Sequence, residues 1–313
     1  MNLVKVKLYS LTIILAALIA VNVIFIVKFP KQGNDFANAE ILNNSQVYVL
    51  PVSEPSYLPI LVSSADRPLL DARSAGIYDT RSGRFLFAKS ARSNLPVASL
   101  TKIMTSLVVL EHLNINDTVK VPAEVIRVDG EKQTLYKEEE ISVLSLLKLM
   151  LVESSNDAAY ALEHYFNETT GTNLVEKMNE KALSLQMTES KFLDPAGLND
   201  EAHSTVENMV KLVRSSLKED LIWDITTEKS TTVRSVDGKI EHKIESTNQL
   251  FGVIPDVVGG KTGYTDIALG AMVLIVDIPG KNDKIISIVL GSKERFTDTE
   301  KLINWVKTAY SWE

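Results

Sequence analysis

The sequence of 313 residues contains no cysteine, so disulfide bonds, thiolate metal sites and a cysteine nucleophile are excluded together. Histidine is scarce as well: the four histidines are scattered, and none belongs to an H-E-x-x-H pair. Because cysteine and histidine are the commonest protein ligands of transition metals, we predict no metal site. Nothing in the sequence indicates a cofactor.

Positive charge is in deficit. Lysine and arginine number 33 against 40 aspartates and glutamates, which gives a net charge of −7 at pH 7. Proteins that hold nucleic acid by its phosphates carry the opposite excess, so nucleic acid is not predicted as a partner. Apolar residues make up 45% of the chain, and its length is sufficient to bury at least one large core.

One long hydrophobic run, LYSLTIILAALIAVNVIFIVKF, fills residues 8–29. As a helix it can cross the hydrocarbon core of a bilayer, about 30 Å thick, so we expect a transmembrane anchor that follows a cytoplasmic tail of residues 1–7. The best signal-cleavage candidate, Ala37-Asn38-Ala39, lies roughly ten residues beyond the run, which is too far for a typical signal peptide. Secretion after signal cleavage is the alternative to an anchor.

Residues 30–66 are rich in turn formers and are broken by short apolar runs, so we expect an extracytoplasmic tether with local structure. Residues 67–313 are expected to form the folded domain. Near its start, AGIYDT and RFLFAKS are joined by Arg81-Ser82-Gly83, which predicts a β-hairpin. A second hairpin is predicted in TTVRSVDGKIEHKI, with Asp237-Gly238 at its turn.

Helical periodicity dominates residues 99–220, as in ISVLSLLKLMLVES, DAAYALEHYF, LVEKMNEKALSL and ENMVKLVRSSL. Strand-like runs return in the final third, before a closing helix predicted from about Asp298 to Tyr310. The simplest fold belongs to the mixed α/β (α+β) class. It has one antiparallel sheet built from both chain ends and flanked by helices, with the helical region inserted between the halves of the sheet.

The segment VASLTKIMTSLVVLEHL, residues 97–113, is apolar on most sides, yet Lys102 stands in its first turn. Ser99 precedes Lys102 by three residues, and residues i and i+3 share a helix face, so hydroxyl and amine can meet. A lysine that desolvation keeps partly neutral can remove the serine proton and create a nucleophile. However, S-x-x-K is expected about once by chance in such a chain, with Ser99 then a helix cap and Lys102 a solvated side chain.

Two further motifs follow in order, Ser154-Ser155-Asn156 between two helical stretches and Lys261-Thr262-Gly263 at the end of the strand-like run PDVVGG. Each has a structural explanation when taken alone. Ser154 and Asp157 can form a capping box, and the KTG can be a strand that enters a turn. Nucleotide binding is not predicted from GGKT, because a phosphate-binding loop would require glycine where Pro255 stands.

Taken together, VASLTKIMT, SSNDAA and GGKTGYT resemble the three active-site motifs of the serine D-alanyl-D-alanine carboxypeptidases, the low-molecular-mass penicillin-binding proteins of peptidase family S11. The resemblance covers about residues 68–313 and includes the segments FLDPAGLNDEAHST, STNQLFG and RFTDTEKLINW. It implies a β-lactamase/DD-peptidase-like fold. It also implies that the substrate is a peptidoglycan stem peptide ending in D-Ala-D-Ala, which acylates the enzyme. β-Lactam antibiotics would acylate the same enzyme as covalent inhibitors.

The resemblance implies a role for each motif residue. Ser99 would attack the carbonyl of the penultimate D-alanine, with Lys102 as the proton acceptor and an acyl-enzyme as the intermediate. Ser154 would relay a proton to the departing D-alanine amine. Asn156 would hold Lys102 and the substrate amide.

The remaining motif residues would bind substrate. Lys261 and Thr262 would face the terminal carboxylate, and Gly263 would leave room for the substrate backbone. The backbone N–H groups of Ser99 and Tyr264 would form the oxyanion hole. Arg295 matches an arginine of the family that assists with the carboxylate.

Three residues depart from the family pattern, and none of them is a catalytic side chain. Val97 stands where proline is usual, Ser155 where glycine is usual, and Gly260 where a branched apolar residue is common.

The resemblance also implies a location. Because peptidoglycan lies outside the cytoplasmic membrane, the domain is expected to be extracytoplasmic and anchored by residues 8–29.

Two other functions are alternatives. A class A-like β-lactamase would need a glutamate to activate the deacylating water, typically in E-x-x-L-N, whereas ESKFLDPAGL follows the peptidase pattern. A non-catalytic cell-wall-binding protein would use the cleft without turnover, and it would have no need of the complete set of motif side chains.

Overall fold

The computed structural model describes residues 58–63, 65–127 and 134–312. The predicted tail 1–7, the predicted anchor 8–29 and most of the predicted tether lie outside these residues. Within the described part of the chain, no helix is long and apolar enough to cross a membrane. Residues Pro55–Glu313 belong to one compact unit.

The strands of the described residues are β1 (Pro59–Leu61), β2 (Ser74–Asp79), β3 (Arg84–Lys89), β4 (Thr118–Lys120), β5 (Glu140–Ser142), β6 (Ser230–Arg234), β7 (Glu241–Glu245), β8 (Val257–Thr265), β9 (Leu269–Ile278), β10 (Asp283–Ser292) and β11 (Tyr310–Trp312). Among the strands of the described residues, β8, β9 and β10 are the longest.

The helices lie mostly between β5 and β6. They are α1 (Thr101–His112), α2 (Val143–Lys148), α3 (Asn156–Thr170), α4 (Leu174–Ser184), α5 (Val206–Ser216), α6 (Asp220–Thr227) and α7 (Arg295–Ala309). A 3₁₀ turn, Ala98–Leu100, leads into α1, a second 3₁₀ turn covers Val125–Arg127, and a π-helical turn, Leu149–Glu153, extends α2.

The main sheet has the strand order β3-β2-β10-β9-β8, and all its neighbours are antiparallel. Its strands come from both ends of the domain, with the helical region between them, so the predicted mixed α/β architecture is confirmed. The β2–β3 hairpin forms around Gly83, whose φ of +68° suits the tight turn. The closing helix begins at Arg295, a few residues before the predicted start.

The second predicted hairpin, β6–β7, also forms, with Gly238 at a φ of +71° in its turn. It is a separate two-stranded sheet and not part of the main one, as the one-sheet prediction had assumed. Its residues alternate between buried and exposed along β7, so it covers the domain with one face only. A buried hydrogen bond between His242 Nε2 and Glu139 Oε1, at 2.6 Å, fastens it.

The main sheet is buried on both faces, because α7 covers one side and the helical region covers the other. On β10, Ile286 and Leu290 face the helical region, whereas Ile285 and Val289 pack with α7. Alternate residues of a strand point to opposite faces, and both faces here are apolar. This is why LGAMVLIVDI and DKIISIVLGS read as continuous apolar runs.

Four helices of the inserted region begin at a polar side chain. Ser142, Ser155, Asn173 and Thr205 each accept a hydrogen bond from the backbone N–H three residues later, at the starts of α2, α3, α4 and α5. These caps fix where each helix begins, and the cap of α3 therefore fixes Asn156 in its first turn.

The first described strand is tied to the last. β1 lies in the segment predicted as tether, yet its residues pair with β11, with Pro59 opposite Trp312. Trp312 in turn donates from Nε1 to a carboxylate oxygen of Asp79 at the end of β2, at 2.9 Å. The chain that enters the domain is thus fastened to its C-terminal residues.

Candidate active site

Ser99 and Lys102 are brought together by the 3₁₀ turn that leads into α1. In a 3₁₀ turn residues i and i+3 eclipse, and the distance between Lys102 Nζ and Ser99 Oγ is 3.0 Å. Ala98, just before the serine, has a φ of +47°, a conformation that side chains rarely adopt. Such strain is concentrated at functional sites, where the surroundings enforce it.

Lys102 is completely buried, which a lysine tolerates only when its amine has partners. Its Nζ donates to Asn156 Oδ1 and to the backbone carbonyl of Ala196, both at 2.8 Å. These two oxygens can only accept hydrogen bonds, whereas the Ser99 hydroxyl can also donate one. A neutral amine has two hydrogens and one lone pair, so this arrangement turns the lone pair toward Ser99.

The second motif lies at the junction of the π-helical turn and α3. Ser154 has a φ of +70° and ψ of +33°, so the chain reverses there in a left-handed conformation. Ser155 follows as the N-cap of α3, and its hydroxyl accepts from Ala158 N at 3.1 Å. Asn156 is then the first residue of α3 and contacts Lys102. π-Helical turns are frequent at functional sites, and here one ends at Ser154, which lies between α2 and α3 and belongs to neither helix.

The third motif lies on β8, at an edge of the main sheet. Lys261 is buried, and its Nζ donates to Ser154 Oγ at 2.8 Å, which connects the second motif to the third. The hydroxyls of Thr262 and Thr247 are 2.6 Å apart. One set of hydrogen bonds thus joins Ser99, Lys102 and Asn156, another joins Ser154 and Lys261, and Asn156 is two residues from Ser154.

Gly263 shows how closely β8 approaches Ser99. A Cβ atom on Gly263 would lie 2.9 Å from the Ser99 backbone nitrogen and 3.1 Å from the Ala98 Cβ. The resemblance explains this glycine by the space that the substrate backbone needs, and the protein's own 3₁₀ turn also requires a glycine here. The chain at Gly263 and Tyr264 therefore runs beside the Ser99 N–H, as an oxyanion hole from these backbone groups requires.

Arg295 begins α7 beside the same end of the sheet. A Cβ atom on Gly270, the strand partner of Tyr264, would lie 3.0 Å from the Arg295 Cβ. The guanidinium lies over the Phe296 ring, 4.6 Å from its centroid, and burial lowers the pKa of Arg295. Its Nε is buried with no hydrogen-bond partner among the described residues. Its role toward a substrate carboxylate remains a prediction.

Each departure from the family pattern has a local explanation. Val97 has a φ of −106°, outside the range near −65° that proline would impose. Ser155 has a φ of −54°, so glycine is not required there, and the serine gains a cap. Gly260 leaves space for Asn248, whose Nδ2 would lie 2.8 Å from a Cβ at that position.

Some residues that support the site carry no motif and were not predicted from the sequence. The carbonyl of Ala196 contacts Lys102, and Asp194 organises the loop that carries it. Thr247, which contacts Thr262, was not singled out either. The signal was available, because these residues lie in FLDPAGLNDEAHST and STNQLFG, two of the segments that carried the resemblance outside the motifs.

Comparison with known proteins agrees with this geometry. The profile of the D-alanyl-D-alanine carboxypeptidase family, peptidase S11, matches residues 62–294. This chain belongs to that family. Its relatives include D-alanyl-D-alanine carboxypeptidase DacF of Bacillus subtilis, 30% identical over 77% of this chain and 63% of the relative. Another is the D-alanyl-D-alanine endopeptidase of Haemophilus influenzae, 36% identical over 62% of this chain and 66% of the relative.

Solved structures of similar proteins have the same fold. The Streptomyces K15 DD-transpeptidase superimposes with a TM-score of 0.72 at 25% identity, over 78% of this chain and 99% of that one. Penicillin-binding protein D2 of Listeria monocytogenes, solved with cefotaxime bound, gives 0.67 at 30% identity, over 77% and 99%. The penicillin-binding-protein-like fold of this S11 chain, with its antiparallel sheet and helices, is thereby confirmed.

Outside the three motifs, Glu163 has a pKa well above the usual value for a carboxyl. Glu163 lies on α3 in a groove that is also lined by Tyr160 and His164. Burial, assisted by the negative charge of Asp194, raises the pKa of Glu163 from 4.5 to about 7. The same two causes, with burial again the larger, raise the pKa of Tyr160. The folded protein therefore binds a proton at Glu163 that the unfolded chain releases at a lower pH.

We expect the Glu163→Gln variant to reveal this in the pH dependence of stability. A carboxyl whose pKa is raised in the folded state stabilises most below pH 4.5, and that contribution is lost as pH rises through about 7. Glutamine does not titrate, so at pH 8.5 the variant should exceed the wild type by about 1–2 kcal/mol, after discounting for partial exposure. At pH 4.5 the two should be equal.

Urea unfolding at both pH values measures this difference. Glu180→Gln on α4, where the carboxylate is largely exposed, is the matched control and should show no comparable gain. Equal stability of wild type and Glu163→Gln at pH 8.5 would contradict the raised pKa.

Proposed function

We propose that this chain is a serine D-Ala-D-Ala carboxypeptidase that removes the terminal D-alanine from peptidoglycan stem peptides, and that β-lactam antibiotics acylate it covalently. The observation that carries the proposal is the buried Lys102 amine, 3.0 Å from Ser99 Oγ and held by two neutral acceptors. A pure binding protein has no need of a buried base beside a serine. The chain spans 63% of the B. subtilis carboxypeptidase, so the activity is a proposal for the residues present here.

The first half of the reaction forms the acyl-enzyme. Ser99 Oγ attacks the carbonyl carbon of the penultimate D-alanine while its proton passes to Lys102 Nζ. The backbone N–H groups of Ser99 and Tyr264 stabilise the oxyanion of the tetrahedral intermediate. The peptide C–N bond then breaks, and Ser154 relays a proton to the nitrogen of the departing D-alanine. Hydrolysis of the ester returns free Ser99.

Recognition of the terminal carboxylate is divided between groups of different kinds. Lys261 Nζ donates to Ser154 at 2.8 Å, so its contribution to the carboxylate is mainly its buried positive charge. The Thr262 hydroxyl supplies a direct hydrogen bond. Arg295, half-buried and with an unpartnered Nε among the described residues, supplies a second cation near the same end of β8.

A D-alanyl-D-alanine endopeptidase is the second candidate function, because relatives at 36% and 28% identity carry that name. Such an enzyme would cleave the bond inside a longer chain and not at a free carboxylate. Two peptides separate these functions, one ending in Lys-D-Ala-D-Ala and one whose final D-alanine is extended by a further residue. Cleavage of the first alone supports the carboxypeptidase, and cleavage of the extended peptide supports the endopeptidase.

The β-lactamase alternative lacks a suitable carboxylate in the segment where it would be expected. Glu189 is at the surface and accepts a hydrogen bond from Asn208 Nδ2 at 3.0 Å. Asp194 uses its carboxylate to accept backbone N–H groups. Neither is available to activate a deacylating water, so the acyl-enzyme formed with a β-lactam should be long-lived.

The Ser99→Ala variant tests the attachment point. Because Ser99 is the proposed covalent nucleophile, the variant should lose both labelling by fluorescent penicillin and release of D-alanine while it still unfolds cooperatively. Ser93→Ala, at an exposed serine in the preceding loop, is the control and should label normally. Persistent labelling of the Ser99→Ala variant would assign the nucleophile to another residue.

The Lys102→Arg variant tests the base. Arginine keeps the positive charge, but a guanidinium is not deprotonated near neutral pH. We therefore expect a folded protein whose acylation falls by about 10²- to 10⁴-fold, the usual contribution of general-base catalysis. In the wild type, acylation should rise with pH, because we predict that the amine titrates below the usual value of about 10.4.

Stopped-flow measurement of penicillin acylation gives these rates, with Lys191→Arg, at an exposed lysine, as the control. If the Lys102→Arg variant acylates at the wild-type rate, Lys102 serves only as a fixed charge. The base would then be sought first at Lys261.

We propose further that the domain is extracytoplasmic and attached to the cytoplasmic membrane by residues 8–29. The chemistry supports this, because the proposed substrate lies outside the membrane. A C-terminal reporter should be accessible from outside the cell, and the mature protein should retain its first thirty residues. A mature N-terminus at Glu40, determined by Edman degradation, would instead support a cleaved signal.

A further inference from the structure

A single carboxylate organises the loop that faces Lys102. Asp194 is 8% exposed, and its Oδ1 accepts the backbone N–H groups of Ala196 at 2.7 Å, Gly197 at 2.5 Å and Leu198 at 3.2 Å. Its Oδ2 accepts the N–H of Asn199 at 2.8 Å. A carboxylate that accepts this many backbone N–H groups fixes the conformation of the loop.

The same loop is docked tightly against α1 and the turn before it. The Thr105 hydroxyl donates to the carbonyl of Pro195 at 2.7 Å, and Lys102 Nζ donates to the carbonyl of Ala196 at 2.8 Å. Gly197 has a φ of +79°, and a Cβ there would lie 1.9 Å from the Ala98 carbonyl oxygen. The position of the Ala196 carbonyl relative to Lys102 therefore depends on the loop conformation that Asp194 holds.

The charge of Asp194 also reaches the groups around it. It contributes to the raised pKa of Glu163 and of Tyr160, both on α3. Lys102 on α1 is connected to Asp194 through a single peptide unit, since the Ala196–Gly197 peptide donates to the carboxylate with the Gly197 N–H and accepts from the amine with the Ala196 carbonyl. The titratable groups that these interactions bring around Asp194 are thus Glu163, Tyr160 and Lys102.

We propose that Asp194 is a positioning residue for Lys102, which rests on the proposed function of Lys102 as the base. Its carboxylate holds the Ala196 carbonyl that takes one amine hydrogen, so the lone pair faces Ser99. Its negative charge, acting through the Ala196–Gly197 peptide, favours the protonated amine and so helps to set the pH range in which Lys102 works. Asp194 itself touches neither substrate nor Ser99 in this arrangement.

Two substitutions separate geometry from charge. Asp194→Asn removes the negative charge but keeps one oxygen that can accept from the Ala196, Gly197 and Leu198 N–H groups. The amide NH₂ group takes the place of the oxygen that accepts from Asn199 N–H, so that one hydrogen bond is lost. The acid limb of the acylation profile should then move to lower pH by about half a unit to one unit, because the amine loses its proton more readily. Asp194→Ala removes all these bonds, so acylation should fall by about 10- to 100-fold at every pH.

The matched control is Asp298→Asn. Asp298 is likewise a buried aspartate that accepts backbone N–H groups, from Asp71 at 3.2 Å and Ala72 at 2.8 Å, but its contacts are with the segments before β2 and at the end of β10. This variant should lose thermal stability, as any broken buried hydrogen-bond cluster does, and its pH profile of acylation should match the wild type.

Acylation by fluorescent penicillin is measured by stopped flow from pH 5 to 10 for the wild type and the three variants, with thermal unfolding in parallel. A shifted acid limb in Asp194→Asn and an unshifted one in Asp298→Asn support the proposal. If Asp194→Asn changes stability and rate but not the pH of the limb, or if Asp194→Ala acylates normally, the proposal is overturned. A wild type that takes no label overturns the proposed function and this inference with it.

Discussion

The site depends on one buried amine. Lys102 has no exposure to solvent, and a buried amine is tolerated only if its hydrogens have acceptors. Besides Ser99 in the turn before α1, it contacts two distant parts of the chain, the first turn of α3 with Asn156 and the loop with Ala196. Satisfying this one group therefore fixes the start of α3 and the loop against α1, an arrangement that no local preference would produce.

The main sheet contributes strand β8 to the site, beside α1, α3 and the loop with Ala196. β8 lies close enough to the 3₁₀ turn that only glycine fits at residue 263, and the same strand carries Lys261 to Ser154. Both contacts depend on β8 keeping its register with β9, which is buried on both faces and pairs with β8 from Val276 to Leu269. A slip of one residue would turn Lys261 to the opposite face of the sheet. The apolar run LGAMVLIVDI of β9, which carries no motif, therefore maintains this register.

The sequence predicted local features well, because each rests on neighbouring residues. The two hairpins follow from Gly83 and Gly238, and the helices from apolar periodicity and caps such as Ser155. The separate sheet of β6–β7 was not predicted, because alternation reveals a buried face but not the partner that covers it. The pairing of β1 with β11 joins residues about 250 apart in the chain, and no short-range pattern indicates such a contact.

For the site, the motifs identified the reacting side chains but not the groups that orient them. Asp194 reads in sequence as an ordinary loop aspartate before proline. Its importance comes from several backbone N–H groups that converge on one carboxylate, and this convergence exists only once the loop is folded. Backbone donors and acceptors carry no sequence signature, so the Ala196 carbonyl was equally invisible.

The choice of partners around Lys102 also follows from what a base must do. An anion in direct contact with the amine would hold its proton, whereas an apolar pocket without acceptors would leave its hydrogens unsatisfied. Asn156 Oδ1 and the Ala196 carbonyl are neutral acceptors that avoid both faults. The negative charge of Asp194 is set one peptide unit away, where it acts on the amine without taking the proton. The Ser99 hydroxyl is then the contact at which the lone pair can react.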